Sequence, residues 1–202
     1  MHAIVINLEE STERIDQFRR DNEFPFVVKR FDALTPTKLG IEDTPEHRDW
    51  SCGLSHIAIL KEQTEFPFVV FEDDCIMLQP WAFVEEVMKQ LPPDWDWLHL
   101  GPNLQKPLEQ YSENLYKLHS GHAMHACIYN SKAMVDYMVE HYNTKDYRCI
   151  DVLLAYDVEK KFNCYCIYPV SATQRSCMSD INNVFLDNYN TIVDSYAKNI
   201  IR

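Results

Sequence analysis

The chain has 202 residues, of which 46% are hydrophobic and 25% are charged, so wholesale disorder and fibrous structure are excluded. This length suits one domain spanning residues 1–202. Lys and Arg number 19 against 31 Asp and Glu, which gives a net charge of −12. Proteins that bind duplex nucleic acid or anionic membranes usually carry the opposite excess, so we expect no nucleic-acid partner.

Several other classes of protein are disfavoured by the sequence. The four glycines form no spacing typical of a dinucleotide-binding loop or a P-loop. No uncharged apolar run approaches the ~20 residues of a membrane-spanning helix, so no transmembrane segment is expected. The N-terminus lacks the basic start of a signal peptide. Seven cysteines, an odd number without a CxxC pair, favour reduced thiols and a cytoplasmic location.

Strand-like and helix-like patterns alternate along the chain. We predict strands at residues 2–8, 26–31, 68–71, 97–100, 123–129 and 162–168. We predict helices at residues 11–20, 54–64, 81–91 and 131–141, a short one starting at 151, and a last one at 189–200. The polar segment 34–50, which contains two prolines, is predicted to be an irregular loop. The alternation indicates an α/β fold with a mostly parallel sheet covered by helices on both faces.

The strongest chemical feature is the run Glu72-Asp73-Asp74, which directly follows the apolar strand predicted at 68–71. Three adjacent carboxylates repel one another, so their delivery together to a strand end makes sense if a cation is held there. Carboxylate oxygens are hard ligands that suit Mg²⁺ or Mn²⁺ shared with a diphosphate. The alternative interpretation is a solvated loop that also caps the helix after Pro80.

A second group of candidate residues lies between the first strand and the first helix. Asn7 and Leu8 end the strand, and Ser11 and Arg14 begin the helix. N–H groups and a guanidinium at this position could contact a nucleotide. The structural alternative is that Ser11 only caps the helix and Arg14 is a surface residue.

Two further segments place polar groups at helix starts. Ser55 and His56 are expected in the first turns of a helix that faces the same crevice, although a histidine there is often structural. Asp151 begins another predicted helix. As a carboxylate at the rim of the crevice, Asp151 could take a proton from an acceptor hydroxyl. As a structural residue, it would only cap its helix.

A competing possibility is a zinc site built from His119, His122, His125 and Cys127. A spacing of three residues alternates sides on a strand. Gly121 and the following strand pattern also interrupt a continuous helical face. Both observations argue against zinc at these residues.

Taken in order, these motifs resemble glycosyltransferase family 25, which includes lipooligosaccharide galactosyltransferases and collagen hydroxylysine galactosyltransferase domains. The matching segments, which span about residues 3 to 181, are Ile6-Asn7-Leu8 with Ser11 and Arg14, Cys52 with Leu54-Ser55-His56, Glu72-Asp73-Asp74, Leu100-Gly101, His125-Ala126 with Ser131 to Ala133, Asp151 to Leu154, and Pro169 with Gln174 and Ser179-Asp180-Ile181. The chain departs from the family pattern at Asp49, where Glu is usual, and at Ser51, where Gly is usual. It also has Glu9-Glu10 where the family has an acidic residue followed by a basic one. It is also short between Gly101 and Gly121.

The resemblance implies a GT-A fold and an inverting, metal-dependent transfer of galactose or glucose from a UDP-sugar donor. The acceptor would be a hydroxyl on a glycan or glycoprotein, as in lipopolysaccharide biosynthesis. Glu72 and Asp74 would hold Mn²⁺ or Mg²⁺, and Asp151 would accept the proton. The nucleotide-sugar site would comprise Asn7, Leu8, Ser11, Arg14, Ser55, His56 and Asp73. Two alternatives stay open: a metal-dependent phosphohydrolase using the same acidic cluster, and a non-catalytic module that binds a nucleotide-sugar.

Overall fold

The computed structural model describes residues 1–142 and 149–200, which form helices around an eight-stranded sheet. Its α-helices are α1 (Thr12–Asp21), α2 (Pro36–Leu39), α3 (Pro45–Glu62), α4 (Trp81–Met88), α5 (Lys132–His141), α6 (Ile150–Tyr156) and α7 (Asn188–Asn199). Its first seven strands are β1 (His2–Asn7), β2 (Val28–Asp32), β3 (Phe68–Glu72), β4 (Cys75–Met77), β5 (Trp97–His99), β6 (Asn103–Leu104) and β7 (Glu109–Gln110). The others are β8 (Leu115–Lys117), β9 (Gly121–His122), β10 (Ala126–Tyr129), β11 (Cys164–Ile167), β12 (Ala172–Gln174), β13 (Cys177–Met178) and β14 (Phe185–Leu186). A short 3₁₀ helix covers Val158–Lys160.

The central sheet has the strand order β2-β1-β3-β10-β5-β11-β8-β7. Six of these strands run in one direction, and β10 and β8 run against them. The predicted α/β fold with a mostly parallel sheet is therefore confirmed. Because β10 lies between β3 and β5, it separates the N-terminal parallel strands from the rest of the sheet.

Both faces of the sheet are covered by helices. Side chains alternate along a strand, so Ile4 and Ile6 of β1 lie in one core, together with residues of α3, α5, α6 and α7. Ala3 and Val5 of the same strand lie in the second core, with residues of α1 and α4. All four side chains are buried. A continuous apolar run buried on both faces is typical of the interior strands of such sheets.

The prediction of an irregular loop over residues 34–50 is wrong. Pro36 and Pro45 each occupy the start of a helix, where the missing N–H costs nothing and the fixed φ is favourable. Thr35 and Thr44 cap these helices, because their hydroxyls accept hydrogen bonds from the amide of the third residue of each helix. The prolines of this segment thus begin helices.

The short strands were not predicted from the sequence. β4 pairs with β12, β6 with β9, and β13 with β14, each outside the central sheet. Strands of two or three residues are too short to show an alternation. All seven cysteines are free thiols. Among the described residues, no helix combines the length and the apolar character needed to cross a bilayer.

Candidate functional site

A cleft of about 1340 Å³ opens where strands β1 and β3 end. Parallel strands that point the same way bring their carboxyl ends to one edge of the sheet, which is where ligands of such sheets bind. Of the site residues predicted from the sequence, the cleft is lined by Asn7, Leu8, Arg14, Ser55, Glu72, Asp73, Asp74 and Asp151. Ser11 and His56 are not part of this lining.

Glu72, Asp73 and Asp74, hereafter the acidic edge, lie at the end of β3 and in the turn that leads into β4. Glu72 Oε2 and Asp74 Oδ2 both accept hydrogen bonds from Gln174 Nε2, at 3.2 and 3.3 Å. Asp74 Oδ1 is buried without a hydrogen-bond partner among the described residues. Burial and the charge of Glu72 raise the pKa of Asp74 to about 8, although Arg14 opposes this shift. These two carboxyl groups therefore converge on one amide, and burial together with their mutual repulsion disfavours the ionised form of Asp74.

Asp73 has different partners from the carboxylates on either side of it. Its Oδ2 accepts a 2.6 Å hydrogen bond from Asn7 Nδ2, and its Oδ1 lies 2.5 Å from Arg14 Nη2. Arg14 also pairs with Asp180 in the loop between β13 and β14. The Arg14 guanidinium thus lies against carboxylates rather than free in the cleft. Ser11 contributes only its carbonyl oxygen, which accepts from Asn7 Nδ2 at 3.0 Å.

The acidic edge fits a hard divalent cation. Glu72 and Asp74 present carboxylate oxygens toward one point, which the Gln174 amide reaches. The buried, unpartnered oxygen of Asp74 is a free ligand atom. Oxygen ligands of this kind suit Mg²⁺ or Mn²⁺.

Ser55 and His56 lie in the middle of α3, so the prediction that they occupy the first turns of a helix is wrong. The helix begins at Pro45, well before them, because Thr44 supplies its cap. Ser55 Oγ donates to Ser51 O and accepts from Leu34 N, both at 2.9 Å. Ser55 therefore fixes the start of the segment that precedes α2.

His56 is fully buried and contacts the acidic edge. Its Nε2 lies 3.0 Å from Glu72 Oε1, so the imidazole orients this carboxylate. Cys52, one helical turn earlier, brings its thiol within 4.8 Å of both groups. The i, i+4 spacing of Cys52 and His56 is the sequence feature that could have revealed this cluster. Its sulfur and nitrogen atoms suit a softer metal than Mg²⁺.

His122, Ala123 and Asp151 line a second part of the cleft, and together with the adjacent Gly121 they are hereafter called the β9–α6 rim. Asp151 Oδ2 accepts from Ala123 N at 3.3 Å and lies 3.5 Å from His122 Nδ1. Asp151 Oδ1 accepts from the Cys149 thiol at 2.6 Å. Burial alone would raise the pKa of Asp151, but these three groups favour the carboxylate and lower its pKa to about 2.

Glu159 supports this rim from below the surface. It is 5% exposed, and both carboxylate oxygens accept from Gly121 N, at 3.1 and 3.3 Å. Burial raises the pKa of Glu159 to about 7. Glu159 is not predictable from the sequence, because a single Glu in a polar stretch has no spacing that distinguishes it.

The four candidate zinc ligands do not come together. His119 lies 3.8 Å from Glu109, and His122 faces Asp151. His125 is buried beside the His99 ring. The only group of three metal-binding side chains found in residues 1–142 and 149–200 is the Cys52, His56 and Glu72 cluster.

No sequence-family model and no curated protein matches the chain, so membership of glycosyltransferase family 25 stays a prediction. Solved structures with similarity include A197 from STIV, at 8% identity and a TM-score of 0.46, covering 92% of this chain and 93% of that one. The glycosyltransferase GlyE of Streptococcus pneumoniae TIGR4 shows 8% identity and a TM-score of 0.47, covering 81% of this chain and 44% of its own. Mouse xyloside xylosyltransferase 1 shows 9% identity and a TM-score of 0.39, covering 75% and 66%. TM-scores below 0.5 do not define a function.

Proposed function

We propose that the protein is a glycosyltransferase that moves galactose or glucose from a UDP-sugar to a hydroxyl of a glycan or glycoprotein, with inversion. The observation that carries the proposal is the convergence of distant segments on one cleft. The end of β1, the acidic edge, the start of α6 and the polar segment after β12 all line it. These are the segments in which the chain resembles glycosyltransferase family 25.

The acidic edge would hold the donor. Glu72 and Asp74 would bind Mn²⁺ or Mg²⁺, which neutralises the charge that develops on the departing diphosphate. Asn7 holds Asp73 in place through its 2.6 Å hydrogen bond. His56 fixes the rotamer of Glu72 from the buried side. The site is thus held in shape before a ligand arrives, which lowers the cost of ordering it on binding.

Arg14 would change partners when a donor binds. In the structure it neutralises Asp73 and pairs with Asp180. A cation on the acidic edge would weaken the attraction of the carboxylates for this guanidinium. Arg14 would then be available for a phosphate oxygen of the donor, with which a guanidinium forms bidentate contacts.

The acceptor hydroxyl would be deprotonated at the β9–α6 rim, where the sequence points to Asp151. Its oxygen would attack the anomeric carbon on the face away from the diphosphate, in a single displacement that inverts this centre. The transition state would resemble an oxocarbenium ion, by analogy with glycoside hydrolysis. Holding donor and acceptor in one cleft supplies the orientation for this attack.

Thermal unfolding with UDP, with Mn²⁺ and with both tests donor binding. A ligand at 100 times its dissociation constant adds about 2.7 kcal/mol, which raises the melting temperature. We expect clear stabilisation only when UDP and Mn²⁺ are present together. No stabilisation even with UDP and Mn²⁺ together, or stabilisation by the metal alone, would contradict the proposal.

Turnover separates the remaining alternatives. We expect UDP release from UDP-galactose or UDP-glucose in the presence of Mn²⁺. Phosphate release from p-nitrophenyl phosphate without any sugar transfer would identify a phosphohydrolase. Stabilisation by UDP and Mn²⁺ without UDP release from either donor would identify a non-catalytic binding module.

A further inference from the structure

The ring of His122 lies at the cleft between Asp151 and Tyr156. Its Nδ1 faces Asp151 Oδ2 at 3.5 Å, and its ring packs edge-on to Tyr156, with centroids 6.3 Å apart. The side chain is about a quarter exposed and lines the cleft. Among the described residues, the contacts of the imidazole are those with Asp151 and Tyr156, and neither is a hydrogen bond to Nε2. The imidazole therefore has one nitrogen engaged by a carboxylate and the other open to a ligand.

The backbone that carries His122 is fixed on both sides. Glu159 accepts from the amide of Gly121, and Asp151 accepts from the amide of Ala123. Ala123 has φ of 71°, a left-handed conformation that costs energy in a residue with a Cβ. The carboxylates of Glu159 and Asp151 thus hold the strained segment 121–123, which has His122 at its centre.

Asp151 is poorly suited to accept a proton itself. Both of its oxygens already accept hydrogen bonds, one from Cys149 Sγ and one from Ala123 N. A carboxylate stabilised by several donors is a weak base. The same carboxylate favours the protonated form of the histidine next to it, so its pairing makes His122 a stronger base than an isolated imidazole.

We propose that His122 is the general base of the glycosyl transfer and that Asp151 is its positioning residue. This inference rests on the proposed function and names the group that takes the proton. His122 Nε2 removes the proton of the acceptor hydroxyl while the acceptor oxygen forms its bond to the anomeric carbon. The bond from that carbon to the diphosphate breaks, and UDP leaves with the electron pair. His122 then returns the proton to solvent.

The charged groups around His122 set the direction of its titration. Asp151 and Glu159 raise the pKa of His122, with Asp151 the larger influence, and burial opposes them. Lys106 acts on Glu159, and Lys160 lies over the Tyr156 ring. A base must be neutral to act, so turnover should increase with pH through the raised pKa of His122.

Three variants test the assignment through UDP release from UDP-galactose and UDP-glucose with Mn²⁺, with water as the acceptor. His122→Asn keeps a donor for Asp151 but removes the base, and we expect kcat to fall by about 100-fold or more. Stabilisation by UDP with Mn²⁺ should be unchanged. His119→Asn is the matched control, because His119 also lies near a carboxylate but does not line the cleft. It should retain turnover within about twofold.

Asp151→Asn provides a readout that a purely structural role would not move. Removal of this carboxylate lowers the pKa of His122, so the acidic limb of the kcat profile should shift to lower pH. Two results would overturn this inference but leave the proposed function intact. One is turnover by His122→Asn within threefold of the wild type, and the other is an acidic limb that does not move in Asp151→Asn. Absence of UDP release by the wild-type chain would overturn the proposed function, and the inference with it.

Discussion

The acidic edge and the β9–α6 rim both present carboxylates to the same cleft, yet their environments act in opposite directions. Burial and the neighbouring Glu72 raise the pKa of Asp74 to about 8. Asp151 is also largely buried, but donors from His122, Cys149 and Ala123 lower its pKa to about 2. An aspartate carboxyl group therefore has too few donors and cations around it at position 74, and enough hydrogen-bond donors at position 151.

This difference indicates what each region lacks. At the acidic edge, burial and mutual repulsion disfavour the ionised form of Asp74, a cost that an added cation would offset. At the β9–α6 rim, the Asp151 carboxylate already has its hydrogen-bond donors, and the group open to the cleft is the imidazole of His122. One region would receive the donor and the other would move a proton.

The largest effect is expected at the acidic edge. Glu72→Ala or Asp74→Ala should abolish turnover, by about 1000-fold or more, because the cation that stabilises the leaving diphosphate is lost. UDP release measures the loss, and circular dichroism should show an unchanged fold. Asp16→Ala, on the exposed face of α1, is the control and should retain full turnover. Full activity in both variants of the acidic edge would refute the metal assignment.

A smaller effect is expected for the residue that supports Asp73. Asn7 is 1% exposed and donates to both Asp73 Oδ2 and Ser11 O. Asn7→Ala removes a hydrogen bond to a charged group, so the free energy of unfolding should fall by about 1.5–3 kcal/mol. Urea unfolding measures this as a lower midpoint with an unchanged slope.

The control for that variant is Asn182→Ala, because Asn182 is exposed. A surface substitution of this kind should change stability by less than about 0.5 kcal/mol. Equal effects of the two substitutions would show that Asn7 does not support the acidic edge.

The smallest effect concerns pH and the β9–α6 rim. Burial raises the pKa of Glu159 from 4.5 to about 7. The folded protein therefore keeps a proton that the unfolded chain loses, so this group makes the free energy of unfolding fall as pH rises between those values. Between about pH 5.5 and 7 we expect a decrease of about 1–2 kcal/mol.

Glu159→Gln should remove that contribution, because the amide still accepts from Gly121 N but does not titrate. Unfolding by urea at several pH values measures the difference between the variant and the wild type. Glu85→Gln, at an exposed position of α4, should leave the pH dependence unchanged. An identical pH dependence in wild type and Glu159→Gln would contradict the assignment.

The fold was largely predictable from the sequence, and the acidic edge with it. The run that forms β3 is apolar on both faces, and the charged triplet directly after it marks the strand end. The residues around α3 were less predictable. Proline is unfavourable inside a helix but favourable at its first position. Pro36 and Pro45 are therefore compatible both with an irregular loop and with two helix starts.

The β9–α6 rim was only partly predictable. Asp151 was predicted to begin a helix because it directly precedes an apolar run. Its relation to His122 depends on β9, a strand of two residues with no periodicity. Contacts between short elements distant in sequence are fixed by tertiary structure, and local patterns do not encode them.

The position of β10 has a consequence for how a newly made chain acquires its function. The strands β2, β1 and β3 come from the first 72 residues and pair among themselves. They join the rest of the central sheet only through β10, which is synthesised much later. Both the pairing of β1 with β3 and that of β3 with β10 are non-local, and such pairing is slow to form. Because the cleft takes its lining from both sides of this seam, the complete cleft forms only once the seam has closed.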